Sequence, residues 1–143
     1  MINKLLLTLL ISLQVFASDT KMQNRDMSTK DMISQNKEIA KLAAQELNKS
    51  LPQKIDKFTT LLKVKPDNTT IVYIFELNIA PKTDESVRKE DHNRMQEAVT
   101  RGTCLSSKKF LDAEISIRYI YTSASSKKEL FRFNINQESC FKL

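Results

Sequence analysis

The sequence predicts an α+β domain: a four-stranded antiparallel sheet in the order α-β-β-α-β-β, helices packed on one face, and one disulfide. Three observations carry that expectation. Apolar residues recur at helical spacing across residues 28–47. Residues 71–79 alternate apolar side chains in the manner of a half-buried strand. The only two cysteines, Cys104 and Cys140, lie beyond an N-terminal segment with the features of an export signal.

That segment has a single charge, Lys4, then an apolar stretch from Leu5 to Phe16, and small residues at its exit. The stretch is about 12 residues, well short of the roughly 20 needed to span a bilayer as a helix. Residues 1–17 therefore read as a signal peptide cleaved between Ala17 and Ser18, leaving no transmembrane segment in the mature chain. Export places the protein in the periplasm if the source is bacterial, which the abundance of Lys, Asn, Ile and Ser suggests. Removing the first 17 of 143 residues leaves 126, enough for one domain with its own core. Only Lys4 among 23 basic residues is lost, so 22 face 17 acidic residues, a net charge of +5. Such a balance favours anionic surfaces in general. The lysines are dispersed and no arginine block appears, so nucleic acid is not expected as a partner.

In an oxidising compartment a lone cysteine pair forms a structural bridge, so Cys104 and Cys140 are expected to pair. Their wide separation does not suit a redox-active dithiol.

Residues 18–27 are polar and are expected to be mobile, leaving 28–143 as a single domain. Ser28-Thr29-Lys30-Asp31 has a hydroxyl at the N-cap and a carboxylate three residues on. The helix it opens presents Met32, Ile33, Ile39, Ala40, Ala43, Ala44 and Leu47 inward and ends at Leu51-Pro52. Residues 55–65 read as the first strand, with Phe58, Thr60, Leu62 and Val64 on one face. Residues 66–69, Pro-Asp-Asn-Thr, are turn chemistry. The second strand points Ile71, Tyr73, Phe75, Leu77 and Ile79 to the core. Ala80-Pro81 breaks it and leads to a charged helix over residues 85–101, with Val87, Met95, Ala98 and Val99 inward and Gly102 at its end. A helical turn over 106–111 follows. A third strand carries Ile115, Ile117, Tyr119 and Tyr121, a polar loop spans 122–127, and a fourth strand carries Phe131, Phe133 and Ile135.

Two sequential hairpins separated by a helix favour an antiparallel sheet. Its outward face combines Lys63, Lys65, Arg118 and Arg132 with Val72, Ile74, Leu61 and Ile120. Apolar residues framed by cations suit an interface, so the four basic residues form a candidate binding face.

Recognisable catalytic chemistry is sparse. His92 is the sole histidine, with no nucleophile in a recognisable setting beside it. Glu90, Asp91 and His92 are consecutive and cannot converge on one metal from a helix. A single glycine excludes phosphate-cradling loops and the dinucleotide fingerprint. No enzyme, metal or cofactor is expected. Glu46-Leu47-Asn48-Lys49-Ser50 matches the extended acidic-x-Asn-x-Ser acceptor of bacterial N-glycosylation, which makes Asn48 a candidate modification site.

From Leu47 to Cys140 the chain resembles small exported bacterial domains. The residues that carry the likeness are Leu51-Pro52-Gln53-Lys54-Ile55-Asp56, the strand with Tyr73, Phe110-Leu111-Asp112-Ala113 before Arg118-Tyr119, and terminal Cys140. The characterised proteins of similar layout are pilotins of the type II secretion S-protein family, lipoproteins that bind a secretin's C-terminal segment and escort it to the outer membrane. Pilotins carry a lipidated cysteine after the signal peptide, whereas Ala17-Ser18 offers none, so neither the anchor nor any secretin-binding residue is carried over. The resemblance implies a non-catalytic periplasmic binding or accessory protein, a pilotin-like chaperone of a secretion or envelope component with a protein or peptide partner. The alternative is an inhibitor or immunity-type protein that blocks an enzyme.

Overall fold

A computed structural model of the chain describes residues 27–143. The signal segment with Ala17 and Ser18, and all but the last residue of the 18–27 segment, lie outside the described residues.

Helix α1 (Thr29–Asn48) starts where its capping residues predict: the Ser28 hydroxyl accepts from the Asp31 N–H at 3.2 Å. Its core contacts are small. Ala40 and Ala44 are buried, which lets the helix axis approach the sheet closely, and Asn36 beside them donates from Nδ2 to the Ala113 carbonyl at 2.7 Å. Ile33 and Leu47, expected inward, are exposed.

The expected first strand is two. Strand β1 (Gln53–Lys54) and strand β2 (Thr59–Asp67) form a hairpin whose turn is tied by Asp56, its carboxylate accepting from the Phe58 and Thr59 N–H groups at 2.8 Å. A bulge between Leu61 and Lys63 then changes which residues face the core. Leu61 and Val64 are buried, while Phe58, expected inside, lies on the turn and is 52 % exposed. Pro66 is within β2 rather than in the turn. It pairs with Ile71 on one side, and β1 is too short to reach its other side, so its missing N–H deprives no neighbour. The turn proper is at Asn68, whose φ of 52° is the left-handed conformation asparagine tolerates.

Strand β3 (Thr70–Leu77) is followed by helix α2 (Asp84–Ser106), short helix α3 (Lys108–Asp112), strand β4 (Ser116–Ser123), strand β5 (Glu129–Ile135) and a 3-10 turn at Glu138–Lys142. The sheet has five strands in the order β1-β2-β3-β4-β5, and β3 pairs with β4 in parallel. This corrects the expectation of four antiparallel strands. The cause is the connection. Residues 78–115 contain a long helix, and a helical crossover returns the chain to the end of the sheet where β3 began. Helix α2 also runs through Gly102 with no left-handed residue there, because Thr103 and Cys104 are still held on the helix. Thr103 Oγ1 donates to the Val99 carbonyl and lies 3.1 Å from the Tyr119 hydroxyl. Cys104 is bonded to Cys140 with Sγ–Sγ 1.98 Å and Cα–Cα 5.6 Å, fastening the C-terminal turn to α2.

The helices share one face of the sheet, as expected. Buried Ala40, Ala44, Val87 and Leu111 pack with Ile71, Ile117, Phe131, Phe133 and Ile135 into one core. Ala98, expected inward, faces out, while Met95 and Val99 border the core. Both sheet edges are capped by side chains. Asn48 pairs with the backbone of Val64 at the β2 edge, and Arg88 donates from Nε and one terminal nitrogen to the Glu129 carbonyl at the β5 edge.

Candidate functional site

The strands carry more aromatic surface than the helices can cover. Helix α1 lies on β2 and β3, α2 lies on β5, and the two helices have no substantial contact with each other. Between them the central strands present Tyr73, Phe75 and Tyr119, each only partly buried. These rings form a stacked tract, Tyr73–Tyr119 at 5.3 Å and Phe75–Tyr119 at 5.9 Å between centroids, continued by Phe75–Tyr121 at 4.9 Å. Ile39 and Ala43 of α1, and Met95 and Val99 of α2, are apolar and partly open beside the same core. The result is a partly buried aromatic tract flanked by apolar side chains of both helices.

At the C-terminal end of β3 the apolar surface deepens into a cavity of about 390 Å³. Phe58, Leu77, Ile79, Pro81, Val87 and Met95 supply its apolar lining, and Asp91 and Arg94 its charged rim. The rim is internally neutralised. Arg94 meets Asp91 at 2.7 Å, and Lys82 reaches Glu90 at 2.9 Å and Asp91 at 3.6 Å. The hydrogen bond from Arg94 holds the Asp91 carboxyl below the usual carboxylate range. Burial pushes the Tyr121 hydroxyl up to about 12, and it raises Tyr73 and Tyr119 in the same direction.

The basic residues read from the sequence fall together on the opposite face. Lys65, Val72, Arg118 and Asn134 form one register row, and Lys63, Ile74, Ile120 and Arg132 the next. Val72, expected outward, does face outward yet is only 1 % exposed, consistent with cover from the aliphatic stems of its Lys65 and Arg118 neighbours. The arginines are occupied. Arg118 donates to Asp67 at 2.7 Å and Asn134 at 2.5 Å, and Arg132 grips Glu129 through both carboxylate oxygens.

His92 is exposed on α2, its ring 5.5 Å from that of Phe133 and 6.1 Å from that of Phe131. Among the described residues no group of three His, Cys, Asp or Glu is placed to hold a metal, and no helix is long and apolar enough to cross a membrane. Asn48 is exposed at the end of α1 with both amide atoms engaged by Val64.

Sequence reasoning placed Val87 and Met95 inward without marking the cavity they line at the end of β3. A signal was present: α2 offers one narrow apolar stripe at positions 87, 95 and 99, too little to cover the aromatic strands below it.

The chain is an α+β domain with helices on one face of a five-stranded sheet and an apolar cavity at the C-terminal end of β3. The chain belongs to the family described as domain of unknown function (DUF8479), whose model matches residues 34–131. No curated protein matches it in sequence. Its fold is similar to a protein of Pseudomonas aeruginosa described as secreted, with TM-score 0.68 and 11 % identity over 76 % of this chain and 96 % of that one. It is also similar to the type 2 secretion system pilotin EpsS of Vibrio vulnificus, with TM-score 0.65 and 11 % identity over 78 % and 96 %. The type II secretion pilotin AspS of Vibrio cholerae gives TM-score 0.58 and 16 % identity over 78 % and 97 %. The pilotin-like layout read from the sequence is thus present in the fold.

Proposed function

We propose that this protein is a non-catalytic, exported accessory protein, pilotin-like in holding an apolar peptide segment of an envelope or secretion component in the cleft between α1 and α2. The carrying observation is the partly open floor of Tyr73, Phe75 and Tyr119 between two helices that do not pack together. A core residue gains from full burial, about 25 cal/mol per Å² of apolar surface removed from water. Leaving three stacked rings open is costly unless a partner covers them. Similarity of fold to two pilotins supports the class of partner.

The cleft, rather than the basic outer face, is the better seat for a peptide. Arg118 and Arg132 are already satisfied by Asp67 and Glu129, so an anionic partner there would have to displace existing pairs. The discriminating experiment places a photo-reactive side chain at Met95 in one variant and at Arg118 in another, and exposes each to envelope extract of the native host. Capture of one defined protein from Met95 alone is the expected result. Capture from Arg118 alone would move the site to the outer face, and capture from neither would remove the binding reading.

A further inference from the structure

We propose that the β1–β2 hairpin tip docks the protein on an anionic lipid bilayer. Every residue from Pro52 to Phe58 is exposed, so the tip projects rather than encloses. Two of those seven are large and apolar: Ile55 is 53 % exposed and Phe58 52 %. Two are lysines, Lys54 and Lys57, and Lys57 Nζ lies 4.7 Å from the centre of the Phe58 ring.

The one acidic residue of the tip is exposed but tied to the backbone of its own turn. Asp56 spends its carboxylate on the N–H groups of Phe58 and Thr59, and the Phe58 bond is the main cause of its lowered pKa. It shapes the turn while the lysines face outward. Lys63 and Lys65 continue the basic strip along β2, and among the described residues none of these four lysines enters an ion pair. Beside the tip a cavity of about 430 Å³ has Lys54 and Lys57 on its wall, with Glu76 there neutralised by Lys127 at 2.7 Å.

A convex apex of apolar side chains flanked by unpaired ammonium groups fits a bilayer surface: the apolar groups enter the acyl boundary and the cations meet phosphates. A specific folded partner would need roughly 20–30 residues a side, far more than this tip presents. Ile55 lines neither of the cavities beside the tip, so this inference and the cleft reading can fail separately.

The test is co-sedimentation of the protein, purified from its native host, with phosphatidylcholine vesicles that contain or lack about 30 % phosphatidylglycerol. Binding to the anionic vesicles only, weakened at high salt, is expected. Lys54→Gln with Lys57→Gln should lower partitioning about 25-fold, at about fivefold per lysine. Ile55→Glu should lower it at least about tenfold, whereas Lys89→Gln on α2 should leave it unchanged. Unaltered thermal unfolding of each variant shows that the fold is retained. Absence of vesicle binding, equal binding to neutral vesicles, or equal loss in Lys89→Gln would overturn the proposal. So would release by Ile55→Glu of a protein that the wild type retains while ignoring vesicles, which would assign the tip to that protein.

Discussion

The side-chain amide of Asn48 pairs with both backbone groups of Val64: Nδ2 donates to the carbonyl at 2.5 Å, and the N–H donates to Oδ1 at 2.9 Å. A single residue at the end of α1 thereby does what a neighbouring strand would do, and it joins the helix to the β2 edge. Asn48→Ala should destabilise the protein by about 1–2 kcal/mol, with Asn48→Asp nearly as costly because it keeps only the acceptor. Urea unfolding of both variants measures this.

The same pairing bears on modification. Attachment of a glycan replaces one Nδ2 hydrogen and requires the amide to leave its pairing with Val64, so transfer to Asn48 competes with docking of α1 on the sheet. Protein refolded before exposure to a glycosylating extract should keep its unmodified mass. The same extract should modify a Val64→Pro variant, which lacks the N–H that orients the amide, more readily. Intact-mass spectrometry reads both outcomes.

The bond between Cys104 and Cys140 closes a loop with a sequence separation of 36. Replacing both with serine should lower stability by about 4 kcal/mol on the chain-entropy account. Chemical denaturation with and without reductant checks the figure, and the wild type under reductant should match the double variant.

Alkaline pH should weaken the fold through the buried tyrosines. An unfolded tyrosine ionises near pH 10, whereas burial raises Tyr121 to about 12. Its contribution is therefore whole below about pH 10 and is lost as pH rises through the folded value, a loss of about 2–3 kcal/mol. Tyr73 and Tyr119 shift the same way and add to the slope. Unfolding free energies across this range should flatten in Tyr121→Phe.

On the outer face the two kinds of cation should differ. Arg118→Ala uncovers Val72 and leaves Asp67 unpaired, and should cost about 1 kcal/mol. Lys63→Ala should change stability by less than about 0.5 kcal/mol. Thermal melts of the two variants would separate a packed arginine from a solvated lysine.

Much of the architecture was legible because local chemistry and tertiary context agree. Ser28 and Asp31 mark the start of α1, and the alternation through Ile71, Tyr73, Phe75 and Leu77 marks β3. Cys104 and Cys140 pair as the cysteine count implied. The failures have identifiable causes. Leu61 was placed outside because a bulge, invisible to a period of two, shifts the phase of β2. Val72 faces outward as expected, but its burial was not legible because its cover comes from neighbours in register, which a single strand does not reveal. The direction of β4 was misread because a helix between hairpins is compatible with either sense until its length is compared with the strands it must span. The cavity at the end of β3 was not legible for a related reason: which residues stay partly open depends on where the helices land, not on any one segment.

The parallel alignment of β3 with β4 sets Leu77 beside Ser123, and the Ala124 N–H donates to the Leu77 carbonyl at 2.8 Å. The chain therefore leaves both strands over one rim, where an antiparallel pair would have sent its exits to opposite poles. Two loops overlook a common patch of surface, and the Ser126 hydroxyl ties one to the start of α2 by donating to Asp84 at 2.6 Å. With Ile79 against the core and Thr83 capping α2, the exposed positions Ala80, Pro81, Ser125 and Lys128 are where such a scaffold can take on new recognition.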